Sequence, residues 1–146
     1  FLILKSEFNL SKIIKKNSGG LLIIDYGYTE KKMKNTLQAV SNHKFANILN
    51  NIGNIDITHN INFNFFKRFI KSLKGLESNI TTQKKFLLKM GIKQRAEIIS
   101  KNQDFSKTAD IFYRLDRLIN EKQMGNLFKV MFIKNEKNKF KLGFEI

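Results

Sequence analysis

The chain has no cysteine, no proline and no tryptophan, and its 146 residues include only two histidines, His43 and His59. Lack of cysteine excludes a disulfide framework, a thiolate nucleophile and cysteine-bound metal, and it suits a reducing compartment. Two histidines outside any H-x-x-H or H-E-x-x-H spacing do not make a dedicated zinc or iron site, so no metal is expected. Arginine is scarce as well: only Arg68, Arg95, Arg114 and Arg117 occur among 27 basic side chains. The net charge of +15 is therefore mostly lysine. Arginine is the residue preferred for bidentate phosphate and guanine contacts, so this charge argues weakly for nucleic acid. Abundant Asn and Ile also fit an A+T-rich coding sequence. No apolar run approaches the ~20 residues needed to span a bilayer, and no signal peptide pattern opens the chain.

What the sequence does have is a strong central stretch, Gly19-Gly20-Leu21-Leu22-Ile23-Ile24-Asp25-Tyr26-Gly27-Tyr28. It reads as a tight glycine turn, a strand buried on both faces, and a polar aromatic loop. In open α/β sheets ligands bind beyond the carboxyl ends of strands, which makes Asp25, Tyr26, Gly27 and Tyr28 the first candidate functional edge. The alternative is a strand that simply ends in a turn. The length suits one domain with a real core. The apolar start Phe1-Leu2-Ile3-Leu4, without an initiator Met, reads as a piece cut from a longer protein.

Before that strand, Ser6 is expected to cap a helix whose Leu10, Ile13 and Ile14 share one face. Helix, glycine turn and strand together argue for a parallel sheet. Thr29 to Lys34 is a polar loop, Thr36 to Val40 is open between strand and helical turn, and His43 to Asn54 has the texture of a long irregular connection. Asp56 to Phe63 alternates like a half-exposed strand or extended loop. Phe65, Phe66, Phe69, Ile70 and Leu73 recur at helical spacing with Gly75 as the stop, a core stripe rather than a base-stacking platform. Leu76 to Thr81 is a strand candidate, Thr82 a cap for Gln83 to Met90, and Gly91 a break before a helix from Lys93 to about Lys101. Phe105 and Ser106 resemble a staple residue and cap for Lys107 to Asn120, whose Ala109, Phe112, Leu115 and Ile119 line one face. Phe128 to Lys134 and Phe140 to Phe144, joined by Asn135-Glu136-Lys137-Asn138, read as a β-hairpin.

Several of these pieces, in order, resemble the C-terminal half of a family of S-adenosylmethionine-dependent methyltransferases that includes the mitochondrial complex I assembly arginine methyltransferase and bacterial relatives. The resemblance rests on Gly19-Gly20 through Asp25-Tyr26-Gly27; Thr36-Leu37-Gln38-Ala39-Val40 with His43; and Gly53 with Asp56, Thr58 and Phe63. It continues through Thr82-Gln83, Phe86-Leu87 and Gly91-Ile92 with Arg95; Arg117-Leu118 with Met124-Gly125 and Leu127-Phe128-Lys129-Val130; and Gly143-Phe144. It implies an α/β fold, the C-terminal part of a class I, Rossmann-like methyltransferase domain over residues 1–146, whose seven-stranded sheet is mostly parallel with one antiparallel strand. Leu21 to Tyr26 would be its fifth strand, Leu76 to Thr81 its sixth and Phe128 to Lys134 its seventh. The cofactor implied is S-adenosylmethionine, but the glycine-rich loop and acidic residue that hold it in such folds have no counterpart here. Two departures stand out: Asn62 where relatives carry Asp, which questions a carboxylate at that position, and Ile52 where they carry Pro.

Methylating a guanidinium needs a pocket that orients one nitrogen, with oxygens to accept the remaining hydrogens. Asp25, Asp56 and Thr58 are the candidate catalytic residues, and Tyr26, Gly27, Tyr28, His59 and Asn62 the candidate substrate-binding residues. Asp56 and Thr58 could instead form a self-bonded turn. His43 and His59 could accept protons, but each reads first as a histidine satisfied by the backbone, and Gln83 and Arg95 read as structural ties. The implied function is methylation of arginine on a protein, with the fragment inactive by itself. The implied location is the cytoplasm of a bacterium or the mitochondrion of a eukaryote. Rival readings are a noncatalytic assembly scaffold, which the Asn62 departure favours, and a basic nucleic-acid-binding domain. With early strands absent, one edge of Leu21 to Tyr26 is left open, and the chain is expected to self-associate. Sedimentation should show mass rising with concentration, and a monodisperse monomer with a sharp cooperative melt would contradict this.

Overall fold

The computed structural model describes residues 2–42, 44–49 and 53–144. Helix α1 (Leu2–Asn17) leads into strand β1 (Gly20–Tyr28), then three short strands, β2 (Gln38–Ser41), β3 (Lys44–Ala46) and β4 (Asp56–Thr58). Strand β5 (Ile61–Asn62) runs directly into helix α2 (Phe63–Ser72), followed by β6 (Leu76–Thr82), α3 (Gln83–Lys89), α4 (Ile92–Ser100) and α5 (Phe105–Ile119). A single turn, α6 (Met124–Leu127), precedes the last strand, β7 (Phe128–Asn135). The main sheet has the order β5-β1-β7-β6, and β2 lies between β3 and β4 in a separate small sheet.

β7 is antiparallel to both β1 and β6, with Met131 opposite Ile23 on one side and Ile80 on the other. β5 joins β1 in parallel at Gly27 and Tyr28 alone. Strands β1, β5 and β6 thus share one direction and β7 alone opposes them, which is the mixed sheet expected. The outer edge of β1 from Gly20 to Tyr26 has no strand partner among the described residues.

One face of this sheet carries the core. Met131, Ile133 and Leu76 pack with Ile14 from α1 and Phe63 and Ile70 from α2, and Leu21, Ile23 and Ile80 join them. The expectation that β1 is buried on both faces fails, because Leu22 and Ile24 on its opposite face are 45% and 47% exposed. On that side α3 packs against β6 and β7, α6 touches β1 as well as β6 and β7, and Leu22 and Ile24 stay partly uncovered. The glycine turn is also built differently: Ser18 takes the positive φ, 51°, while Gly20 is needed because a Cβ there would lie 2.5 Å from the Phe132 ring.

Several helix expectations shift in register. Ser6 lies inside α1 rather than capping it, Leu10 and Ile13 are exposed, and among the described side chains of α1 the buried ones are Ser11 and Ile14. α2 starts at Phe63, which is 1% exposed, and Phe65 points to solvent. Asp104, not Ser106, caps α5, its carboxylate accepting from Lys107 N at 2.9 Å. Thr108, Ile111, Leu115, Leu118 and Ile119 are the partly covered positions of that helix, and Ala109 and Phe112 are exposed. Helix periodicity fixes a stripe, but which stripe is covered depends on the neighbours, here α3, α4 and α6 on one side only. Thr82 does cap α3, and Gln83 Nε2 donates to Leu118 O at 2.9 Å, tying α3 to α5. His43 and Ile52 lie outside the described residues, and β3 falls within the stretch read as irregular.

The C-terminal hairpin is not formed. β7 already has a strand on each side, so Phe140 to Phe144 has no edge to pair with. That segment instead folds over the sheet, with Phe140 and Phe144 against Phe132 at 5.6 and 6.0 Å between ring centroids. Lys134, 1% exposed, anchors it by donating to the carbonyls of Asn138 and Phe140 while pairing with Glu77 at 2.9 Å.

Two stability effects are expected. Asn62 Oδ1 accepts from Phe65 N at 3.0 Å as the cap of α2. Asn62→Ala should cost about 1 kcal/mol in denaturant unfolding, whereas Asn62→Asp should keep the cap and gain from the helix dipole. Lys134→Met leaves two carbonyls without their donor and should cost roughly 1–3 kcal/mol, with a shift in the unfolding midpoint at unchanged slope. A neutral result would mean that Lys134 does not hold the terminal segment.

Candidate functional site

The site lies where β1 and β5 end side by side and α2 begins. These two parallel strands can approach only because residue 27 is glycine: a Cβ there would sit 2.8 Å from the Phe63 ring and closer still to the Ile61 carbonyl. Tyr28 follows, buried, its hydroxyl accepting from Lys34 N at 3.0 Å and its ring lying under Lys34 Nζ at 5.1 Å. That bond folds the 29–37 loop back against the strand end. Asn64 Nδ2 donates to Thr29 O at 3.2 Å, and Asn60 N donates to Thr36 Oγ1 at 3.0 Å, fixing both ends of the loop.

Between the loop, β4, β5 and α2 runs a cleft of about 950 Å³. Its walls are mainly apolar, from Met33, Leu37, Ile57, Ile61, Phe65 and Phe66, broken by the polar groups of Asp25, Thr58, His59 and Asn62. Asp25 Oδ1 accepts from Tyr26 N at 2.7 Å, which leaves its other oxygen available. Thr58 Oγ1 is buried and has no hydrogen-bond partner among the described residues. A buried hydroxyl without a partner carries a desolvation cost that a bound donor or acceptor would relieve. Apolar walls, one carboxylate and a hydroxyl without a partner among the described residues, with the lining Lys34 already paired to Glu30, suit a flat cation on an aliphatic stem.

A second cleft of about 540 Å³ adjoins it, with Tyr28, Lys34 and Asn60 lining both. Here Glu30 pairs with Lys34 at 2.5 Å, and Glu121 pairs with Lys84 at 2.6 Å. These hydrogen bonds hold both carboxyls below their usual range. Lys129 enters from the start of β7, where its ammonium donates to Asn126 O. Burial pushes its pKa down, offset by Glu30 and reinforced by Lys34.

Of the eight residues singled out from sequence, Asp25, Tyr26, Tyr28, Thr58, His59 and Asn62 line the larger cleft. Gly27 lines the smaller one, and Asp56 lines neither, standing exposed on β4 opposite Val40. Asp56 and Thr58 are strand residues rather than a self-bonded turn. His59 is exposed, with Nδ1 3.3 Å from Asn60 O. Asn62 serves α2 as its cap and also donates to Met33 Sδ at 3.2 Å. Sequence reasoning gave neither Lys34 nor Lys129 a place in a cleft: Lys129 appeared only within the family-matching run Leu127-Phe128-Lys129-Val130, and sheet register then set it opposite Asp25.

Comparison with known proteins gives these features a context. Protein arginine methyltransferase NDUFAF7, mitochondrial, of Xenopus tropicalis is 31% identical over 121 residues, 82% of this chain and 28% of that protein. Its Danio rerio counterpart is 29% identical over 126 residues, 86% of this chain and 29% of that protein. The chain thus spans less than a third of these relatives. An uncharacterized superfamily protein from Burkholderia thailandensis superposes with a TM-score of 0.69 at 23% identity, over 92% of this chain and 38% of that one. A superfamily member from the same organism, bound to S-adenosyl-homocysteine, gives 0.66 at 22% identity, over 93% and 36%. Both show the fold. A family profile described as "Putative S-adenosyl-L-methionine-dependent methyltransferase" matches residues 6–82, more than half of the chain, and the chain belongs to that family of S-adenosyl-L-methionine-dependent methyltransferases.

Proposed function

We propose that this chain forms the acceptor side of a protein arginine methyltransferase, with the apolar cleft at the end of β1 as the guanidinium pocket. The observation that carries this reading is that Asp25 and Thr58, whose hydroxyl has no partner among the described residues, line one mainly apolar cleft. Similarity to the relatives named as protein arginine methyltransferases supports the choice of arginine.

The family's cofactor, when bound, supplies an electrophilic methyl group. Among the described residues no strand passes through a glycine-rich turn into a helix, so no residue here is assigned to hold it. The chain's own side chains act on the acceptor. The free oxygen of Asp25 accepts one guanidinium hydrogen and Thr58 Oγ1 accepts another, which orients the remaining nitrogen. Phe65 and Phe66 cover the aliphatic stem, and Tyr28, fixed by Lys34, closes the wall. A methylated nitrogen must give up one proton, and Asp25 is the carboxylate positioned to draw it away. His59 lies at the mouth of the cleft. Asn62 gives the scaffold reading no support, because a helix cap is served by Asn as well as by Asp.

Radiolabelled methyl transfer from S-adenosylmethionine to matched arginine and lysine peptides tests this proposal, using the protein at the length of its relatives. Transfer should require arginine, and Asp25→Asn should lower kcat by about 10²-fold. Equal transfer to lysine, or an unchanged rate in the Asp25 variant, would overturn the assignment.

A further inference from the structure

The smaller cleft is absorbed by nothing above, and its charge is unbalanced. Both of its carboxylates are paired, Glu30 with Lys34 inside the cleft and Glu121 with Lys84 outside its lining. Lys122 and Lys129 line the same cleft without a carboxylate partner among the described residues. Lys129 is also partly stripped of water, since burial is the largest influence on its ammonium. A partly desolvated cation beside amide donors from Gln123 and Asn126 is a receptor for an anion, and a carboxylate would restore the solvation lost.

The place of this cleft matters as much as its charge. Tyr28, Lys34 and Asn60 line both clefts, which places the smaller one within reach of an extended peptide seated in the guanidinium pocket. We propose that the two clefts read a bipartite substrate: an arginine in the larger one and an acidic side chain, Asp or Glu, a few residues away in the smaller one. The inference rests on the arginine reading and adds a sequence preference to it. Lys129 and Lys122 act as specificity residues and take no part in methyl transfer. The Glu30–Lys34 pair keeps Lys34 over Tyr28, and Glu30 offsets only part of the effect of burial on Lys129.

The test is calorimetric binding of capped peptides that carry one arginine in a Gly-Ser background, with Glu or Gln placed one to four residues to either side. A control peptide carries the Glu and a norleucine in place of arginine. The best Glu peptide should bind about tenfold tighter than its Gln twin, and the difference should shrink in high salt. Lys129→Gln keeps the aliphatic stem and a donor for Asn126 O, so the fold is retained, and it should bring the Glu and Gln peptides close to equal affinity. Arginine peptides that bind equally with Glu or Gln at every spacing would overturn the acidic preference and leave the arginine pocket standing. Tight binding of the norleucine peptide would overturn both, because the acidic group would then be recognised without arginine.

Discussion

The structure depends on β7 being held between two strands that run against it. Every residue from Lys129 to Lys134 has a partner on β1 and another on β6, so the last strand in the chain ties the first to the middle. Met131 and Ile133 supply the centre of the core on one face, and Val130 and Phe132 the contacts on the other. Asn135, at the end of β7, donates to Lys15 O and so closes the C-terminus of α1. Removing β7 would leave β6 unpaired, β1 paired only with the two residues of β5, and α1 without the Asn135 bond. Such non-local pairing also makes folding slow relative to a helical chain of this size.

That pairing sets where the chemistry can be. β1, β5 and β6 point the same way, so the carboxyl ends of β1 and β5 open on one side, where loop and helix ends leave unpaired polar groups. Glycine at position 27 brings β5 and Phe63 against β1, and α2 starts there with its cap already in place. The tyrosine that follows is buried and held by the loop it helps to fold. Asp25 and Thr58 are therefore presented from strands rather than from mobile turns, which is the rigidity that an orienting pocket needs.

Much of this frame could be read from residues. The aliphatic run of β1, the aromatic period of α2 and the Thr82 cap are local signals, and each is set by neighbours a few positions away. The misreadings share a cause. Ala109 and Phe112, Leu10 and Ile13, and the second face of β1 were assigned to the interior by pattern, but burial depends on what packs opposite. The supposed hairpin failed because both edges of β7 were taken by strands distant in sequence. The larger cleft was legible in its residues and hidden in its shape, since it exists only once Asn60 and Asn64 hold the 29–37 loop in place. Lys129 stood within the family-matching run Leu127-Phe128-Lys129-Val130, but nothing in that run pointed to a role in a cleft.

The β1–β7–β6 ladder is the foundation of the fold, and amide hydrogen exchange at dilution examines it directly. Amides along β7 from Lys129 to Lys134 should be the slowest in the protein, while β1 from Gly20 to Tyr26 should alternate between slow amides facing β7 and fast ones on its open edge. Fast exchange throughout β7, or uniform protection along β1 in the monomer, would contradict the sheet described here.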